Sequence, residues 1–336
     1  MKILVTGGCG FIGSNFIHFM LNKYKDVSIT NLDLLTYAGN LENLKDIKKS
    51  SRYRFIKGNI TDGKIVNKIL AGGIDVIINF AAESHVDRSL YHPAVFLNTN
   101  ILGTQVLIEA ARQFKIKRYI QISTDEVYGS LKKKDKPFTE KSPLDASSTY
   151  SASKASADLL VKAYEKTFGY AAIITRGTNN YGPYQFPEKV IPLFISNTLE
   201  NKQLPLYGDG KNIRDWLYVE DHCRAIDCVM RHGKLGEIYN IAGQSGKTNL
   251  EVTKTILQAL KKPESLITFI KDRPGHDRRY ALDISKIKKQ LGWQPKYRFE
   301  DGIRQTINWY LKNKDWWKRI KTGEYLKFYK VHYGKP

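Results

Sequence analysis

Cysteine is scarce in this chain of 336 residues: Cys9, Cys223 and Cys228 form no C-x-x-C pair and leave one thiol over. Neither a disulfide framework nor a zinc site is indicated. The seven histidines show no H-x-x-x-H or other ligand spacing, which argues against a metal enzyme. No apolar run approaches the ~18 residues of a membrane span, and Met1 leads straight into a strand-like segment with no signal peptide ahead of it. A soluble, cytoplasmic protein with no membrane partner is expected. Repeats and low-complexity stretches are also missing. Acidic residues are outnumbered 33 to 54, for a formal net charge of +21. The lysines are spread over "KDIKKSSRYRFIK", "SLKKKDKPF" and "QALKKPES" rather than gathered in one arm. That favours a solvated basic surface, with attraction of a small anionic substrate as the second reading, over a nucleic-acid partner.

Ordinary globular composition stands beside these absences: 42% hydrophobic and 26% charged residues. The length suits one large domain or two intimately built ones. "KILVTGGCGFIGSNFIHFML" reads as strand, glycine turn and helix, with Gly7, Gly10 and Gly13 at three-residue spacing. "VSITNLD" is a second strand and ends at Asp33, twenty residues past Gly13. More strand-like runs follow at "YRFIKG", "IDVIINFA", "RYIQIS" and "AAIITRG", and helical patterns such as "AVFLNTNILGTQVLIEAARQF" and "YSASKASADLLVKAYEKTFG" separate the later ones. Alternating strands and helices predict an α/β fold with a Rossmann-type, doubly wound parallel sheet. After Arg176 the rhythm breaks at "NNYGPYQFPEKVIP", which predicts a smaller mixed α/β cap ending in two helical stretches, "TNLEVTKTILQALKK" and "EDGIRQTINWYLKNKDWWKRI".

Three patterns carry chemistry. The glycines suit a turn where backbone approaches a pyrophosphate, with the helix N-terminus facing the anion. Asp33 can accept both ribose hydroxyls and would repel a 2'-phosphate, which favours NAD over NADP. In "YSASK", Tyr150 and Lys154 stand four apart on one helical face, where an ammonium favours the phenolate. Y-x-x-x-K occurs five times, however, beginning at Tyr53, Tyr128, Tyr150, Tyr207 and Tyr310. Position separates Tyr150: it opens a strong helix after a strand end, where open sheets keep their ligand crevice. Packing or surface roles are expected for Tyr53, Tyr128, Tyr207 and Tyr310, the last on an exposed-looking helix. In "YIQISTDEVYG" two acids, Asp125 and Glu126, directly follow the apolar strand. A solvated turn is the ordinary reading of such a pair.

Taken in order, "TGGCGFIG", Asp33, "NFAAESHVDRS", "ISTDEVYG", "YSASK", "NNYGPYQFPEK", "RDWLYVEDH" and "DRPGHDRRYALD" resemble the extended short-chain dehydrogenase/reductase family, and within it the nucleotide-sugar 4,6-dehydratases. The resemblance covers nearly the whole chain. "AAESHVDRS" and "DRPGHDRRY" are similar to a branch acting on dTDP-glucose, whereas Arg176 and Gly177 of "ITRGTNN" look more like UDP-glucose-using relatives. The implied reaction oxidises C4 of the sugar, removes water across C5 and C6, and returns hydride to C6, giving a 4-keto-6-deoxy sugar nucleotide for deoxysugar (rhamnose) synthesis. Elimination requires an acid and a base in different protonation states, which would employ the paired carboxyls. A 4-epimerase is the alternative chemistry and would have no need of them. A non-catalytic dinucleotide sensor would have no use for Tyr150.

By this resemblance Thr124, Asp125, Glu126, Tyr150 and Lys154 are catalytic, with Asp125 the acid and Glu126 the base. Gly7, Gly10, Phe11, Ile12, Gly13, Asp33, Asn59, Ile60, Ala81, Ala82, Glu83, Thr99 and Asn180, with Tyr150 and Lys154, would hold NAD. Asn59 stands where an acid is common. Ser84, Thr124, Asn179, Lys189, Arg214, Asn249, Arg273 and His276 would contact a nucleoside-diphosphate sugar; Arg278 and Arg279 are open between substrate and solvent. His85 reads as a hydrogen-bonding strut. Residues 1–177, with about 212–241, would form the NAD-binding domain, and 178–211 with about 242–330 the sugar-nucleotide domain. Apolar residues on more than one side of the helices near 94–114 and 150–168, among them Leu159, Leu160, Val161, Ala163, Tyr164 and Phe168, imply a homodimer through a four-helix bundle, as in the family.

Overall fold

The computed structural model describes residues 1–322, 325, 326, 329 and 330. The last part of the expected second domain, at 323, 324, 327 and 328, lies outside the described residues. In chain order the strands are β1 (Lys2–Thr6), β2 (Ser28–Asp33), β3 (Tyr53–Lys57), β4 (Val76–Asn79), β5 (Arg118–Thr124), β6 (Ile173–Gly177), β7 (Asn179–Tyr181), β8 (Leu204–Tyr207), β9 (Ile213–Tyr218), β10 (Ile238–Ile241), β11 (Gly246–Thr248) and β12 (Ile267–Ile270). The helices are α1 (Phe11–Lys23), α2 (Gly63–Leu70), α3 (Val86–Tyr91), α4 (Pro93–Phe96), α5 (Gly103–Gln113), α6 (Thr149–Phe168), α7 (Val190–Leu199), α8 (Val219–His232), α9 (Asn249–Ala259), α10 (Ser285–Leu291), α11 (Phe299–Lys312) and α12 (Lys314–Ile320).

Seven strands form one wholly parallel sheet in the order β10-β6-β5-β4-β1-β2-β3. Because side chains alternate along a strand, the two faces feed two cores. Ile3, Val5, Ile78 and Ile120 pack with Phe16 and Ile17 of α1 and Ile226 of α8. Leu4, Ile77 and Tyr119 point the other way, onto Val66 of α2, Leu107 of α5 and Val161 of α6. A third core joins Tyr181, Phe194, Leu204, Trp216, Ile256, Phe299 and Trp317. Two small sheets, β11-β9-β7 and β12-β8, contribute Tyr181, Trp216 and Leu204 to it. β9 therefore pairs with β7 and β11 rather than entering the large sheet. Strand order reverses between β1 and β4, so the loops after them part and leave a crevice.

The helical run near 94–114 is interrupted. Between α4 and α5 the backbone adopts a π-helical stretch, Leu97–Leu102; such bulges insert a residue and re-aim side chains, often at functional sites. The final run divides at Asn313, whose backbone leaves helical angles while its side chain donates to the Trp309 carbonyl. Tyr310 is not exposed: it is fully buried, and its hydroxyl donates to the Gln185 carbonyl. No helix among the described residues is long and apolar enough to cross a membrane.

Candidate active site

The turn from β1 into α1 depends on two glycines. Gly7 has φ +66°, and a Cβ on Gly13 would lie 2.4 Å from the Gly7 carbonyl oxygen, so only bare backbone fits. No side chain caps α1 at Gly10, and its first turn, with Phe11 and Ile12, lines a cleft of about 310 Å³. At the end of β2, Asp33 accepts one hydrogen bond from the Cys9 N–H and one from the Leu35 N–H, both at 2.8 Å. Burial raises its pKa while these two donors pull the other way. Each carboxylate oxygen keeps acceptor capacity for a diol. Asn59 and Ile60 after β3, and Ala81, Ala82, Glu83 and Ser84 after β4, line the same cleft. Thr99 reaches it from the π-helical stretch. The next residue, Asn100, brackets Glu83, accepting from its N–H at 2.9 Å and donating to its carbonyl at 3.0 Å. A bare-backbone turn, an uncapped helix start and a carboxylate at the next strand end fit a dinucleotide.

The catalytic candidates line this same cleft. Ser148 caps α6 in a capping box with Ser151, which sets Tyr150 in the first turn. Lys154, one turn on, donates to the Ile122 carbonyl at 2.6 Å. β5 ends in Thr124, whose hydroxyl accepts from the Glu126 N–H at 3.3 Å and donates to Asp125 at 3.1 Å. Thr124, Asp125, Glu126, Tyr150 and Lys154 all line the cleft.

Burial and neighbouring charge separate these groups. Asp125 is buried and its carboxyl is held well above the usual range, first by burial and then by Glu126. Glu126 is also raised by burial, but Arg273, Lys189 and Arg214 favour its charged form. Burial pushes Lys154 down to about 8. The phenol of Tyr150 is raised, by burial first and then by Glu126, with the Thr124 hydroxyl opposing. Lys154 shares the helical face, but its ammonium is engaged by the Ile122 carbonyl and faces Asp158.

A second cavity of about 160 Å³ adjoins the first, and Glu126, Asn179, Glu188 and Lys189 line both. Arg214, Asn249, Arg273 and His276 line the second one. Lys189 donates to the Ser84 carbonyl at 2.8 Å, and Arg214 to the Asp277 carbonyl at 2.9 Å, with its guanidinium over the Tyr280 ring. Arg273 stands 3.6 Å from Asp87. His276 contacts Asp272 at 2.5 Å, and burial lowers its pKa to about 4. Two cationic candidates stay outside: Arg278 pairs with Asp209 and Arg279 donates to the Lys132 and Asp135 carbonyls. Arg176, half of the UDP-like signal, lines neither cavity; it is buried against α6. Asn180 lines the first cavity beside His222, a residue that sequence reasoning missed. His222 contacts the Asn180 amide oxygen at 2.9 Å, and burial keeps the ring neutral, lowering its pKa to about 3. His85 lies 4.0 Å from Glu188. Of the other four tyrosines, Tyr53, Tyr128 and Tyr310 line neither cavity, whereas Tyr207 lines the second and donates to Asp87 at 3.3 Å. No group of three or more metal-ligating side chains occurs among the described residues.

A doubly wound sheet whose dinucleotide crevice ends at a Thr–Tyr–Lys set defines an extended short-chain dehydrogenase/reductase. More narrowly, the chain belongs to the GDP-mannose 4,6 dehydratase family, whose family model matches residues 4–306. It is 49% identical over 358 aligned positions to the dTDP-glucose 4,6-dehydratase of Shigella flexneri, covering 99% of each chain. Among solved structures, the dTDP-glucose 4,6-dehydratase of Bacillus anthracis in complex with NAD superposes with a TM-score of 0.90 at 50% identity, covering 96% of this chain and 100% of that one. The enzyme of the same name from Streptomyces venezuelae, with NAD and TDP bound, gives 0.93 at 47% identity and the same coverage.

Proposed function

We propose that the protein is an NAD-dependent 4,6-dehydratase of dTDP-glucose, producing the 4-keto-6-deoxy sugar nucleotide. The observation that carries this reading is the placement of Asp125 and Glu126 beside Tyr150 and Lys154, in environments that separate the two carboxyls. Two acids of unlike protonation suit an elimination, and an epimerase needs neither.

Gly7, Gly10, Gly13 and the first turn of α1 hold the pyrophosphate of NAD, and Asp33 its adenosine ribose. Asn59 and Ile60 flank the adenine half, while Ala81, Ala82, Glu83, Thr99 and Asn180 line the rest. When bound, NAD supplies the hydride acceptor, later the donor, and a positive ring charge that offsets the raised phenol pKa. Tyr150, as its phenolate, takes the proton of the C4 hydroxyl, steadied by Thr124 and Lys154. Asp125, kept protonated by burial, gives its proton to the C6 hydroxyl, which leaves as water. Glu126, kept nearer its charged form by three cations, takes the C5 proton and returns it to C5 in the last step. Lys189, Arg214 and Arg273 face the diphosphate, for which guanidinium forks are suited. Ser84, Asn179, Asn249 and His276 complete the sugar-nucleotide contacts.

In this reading residues 1–177 with about 219–241 bind NAD, and 178–218 with about 242–330 bind the sugar nucleotide; β9, expected in the first domain from about 212, pairs in a small sheet of the second instead. The protein works in the cytoplasm, in a deoxysugar route such as that to rhamnose, as a homodimer. What supports the dimer is apolar exposure on adjacent helical segments: Leu97 is 50% and Leu159 61% exposed, whereas Val161 and Tyr164 on the same helix as Leu159 are buried. The reading is tested by incubating purified protein separately with dTDP-glucose and UDP-glucose. Mass loss of one water with the alkaline absorbance of a 4-keto sugar is expected from dTDP-glucose. No product from either, with NAD bound, overturns the assignment; product from UDP-glucose alone overturns the base.

A further inference from the structure

We infer that Arg176 is a positioning residue, locking the Tyr150–Lys154 face of α6 to the short helix that carries Asp125 and Glu126, through Asp158 on one side and Tyr128 on the other. Tyr150, Lys154 and Asp158 stand at i, i+4 and i+8 on α6 and form one stripe. From the neighbouring strand β6, the Arg176 Nε donates to Asp158 at 2.9 Å. The same guanidinium lies over the ring of Tyr128, 4.7 Å from its centre. Tyr128 ends the single-turn helix Asp125–Tyr128, so one side chain touches both elements that present reactive groups. Tyr128 is fixed in turn by donating to Asn240 at 2.9 Å. Asp158, Arg176 and Tyr128 are 1%, 3% and 2% exposed, so no solvent competes for these contacts.

Charge makes the lock matter to chemistry. Lys154 is buried and its own proton is at risk; Asp158 is the opposing charge that favours keeping it. Tyr150, Asp125, Glu126 and His222, the last kept neutral by burial, line the same cleft as Lys154, and Arg176 pairs with Asp158 from β6. Burial raises the Asp158 carboxyl, and the Arg176 guanidinium is the foremost group that favours its ionised form. Removing Arg176 takes away the cation hydrogen-bonded to Asp158 and leaves Lys154 as its remaining counter-charge, which shifts the buried carboxyl toward its protonated form. Loss of Arg176 and neutralisation of Asp158 therefore converge on one result, a weakened Lys154 charge beside Tyr150.

The inference rests on the proton-transfer reading of Tyr150 and Lys154, and its test does not require turnover. In NAD-loaded enzyme carrying 13C-labelled lysine, the Lys154 signal is assigned by its loss in Lys154→Met and titrated by NMR. A midpoint near 8 is expected for the unaltered protein. Asp158→Asn and Arg176→Gln each move it down by about one pH unit or more, the double variant moves it no further, and Arg176→Lys keeps it near the starting value. At neutral pH kcat falls about tenfold in the first two, with KM little changed. An unmoved Lys154 midpoint in folded variants, or additive shifts, overturns the inference. If Asp158→Asn does not fold, the Arg176→Gln and Arg176→Lys pair decides it. A shifted midpoint in a protein that makes no 4-keto product overturns the dehydratase reading and leaves the lock standing.

Discussion

The Lys154 ammonium donates at 2.6 Å to the carbonyl of Ile122, two residues before Thr124 on β5. This bond ties α6 to the strand whose end carries the acid pair, so the phenol and the carboxyls are placed from one anchor. Lys154→Met should lower the rate of 4-keto product formation by about 100-fold or more, the scale of a positioned proton-transfer partner. Product assay at saturating sugar nucleotide checks it. A variant within threefold of the starting rate contradicts the assignment.

The same lysine makes a stability prediction whose sign follows from its lowered pKa. An unfolded chain holds the proton up to the ordinary value of 10.5, while the folded site releases it near 8. Between these values the unfolded state binds more protons, so stability from this group rises with pH across that window and is absent below it. Relative to Lys154→Met, the unaltered protein should gain about 1 to 3 kcal/mol between pH 7.5 and 10. Denaturant melts at matched pH read the difference. A difference independent of pH, or of opposite slope, contradicts it.

Gly13→Ala should weaken NAD binding by about tenfold or more without unfolding the sheet, because the new Cβ meets the Gly7 carbonyl and must spread the turn. Calorimetric titration with NAD, alongside far-ultraviolet circular dichroism, separates the two effects. Unchanged affinity would show that the turn does not hold the pyrophosphate.

In the proposed dimer, Leu159→Glu places an unpaired charge in an apolar contact through α6 and should give monomers at micromolar concentration. Sedimentation velocity reads the outcome. A variant that remains dimeric moves the interface away from α6, and an unaltered protein that is monomeric removes it.

Much of this was legible in the chain because local chemistry and global position agreed. The glycine turn, Asp33 at the end of β2 and the acids after β5 are each local signals at strand ends, where a doubly wound sheet keeps its crevice. Tyr310 misled because its helix carries polar residues on one side, while the face with Tyr310 docks on the third core. The π-helical stretch has no periodic signature, although it delivers Thr99 and Asn100. The second cavity gathers side chains from segments as distant as Glu126 and Arg273, a juxtaposition that no local pattern signals. His222 sits inside a motif that sequence reading noted, yet nothing marks it out until Asn180 is seen beside it. Arg176 looked like a substrate signal and is instead a buried partner of α6.

The most direct test of the account is a rapid-mixing, single-turnover experiment on the NAD-loaded enzyme with dTDP-glucose, comparing Glu126→Gln with Tyr150→Phe. Glu126→Gln should build up the absorbance of NADH, because C4 is oxidised while elimination stalls, and Tyr150→Phe should show neither NADH nor product. Equal loss of both steps in the two variants would contradict the division of labour between the phenol and the paired acids.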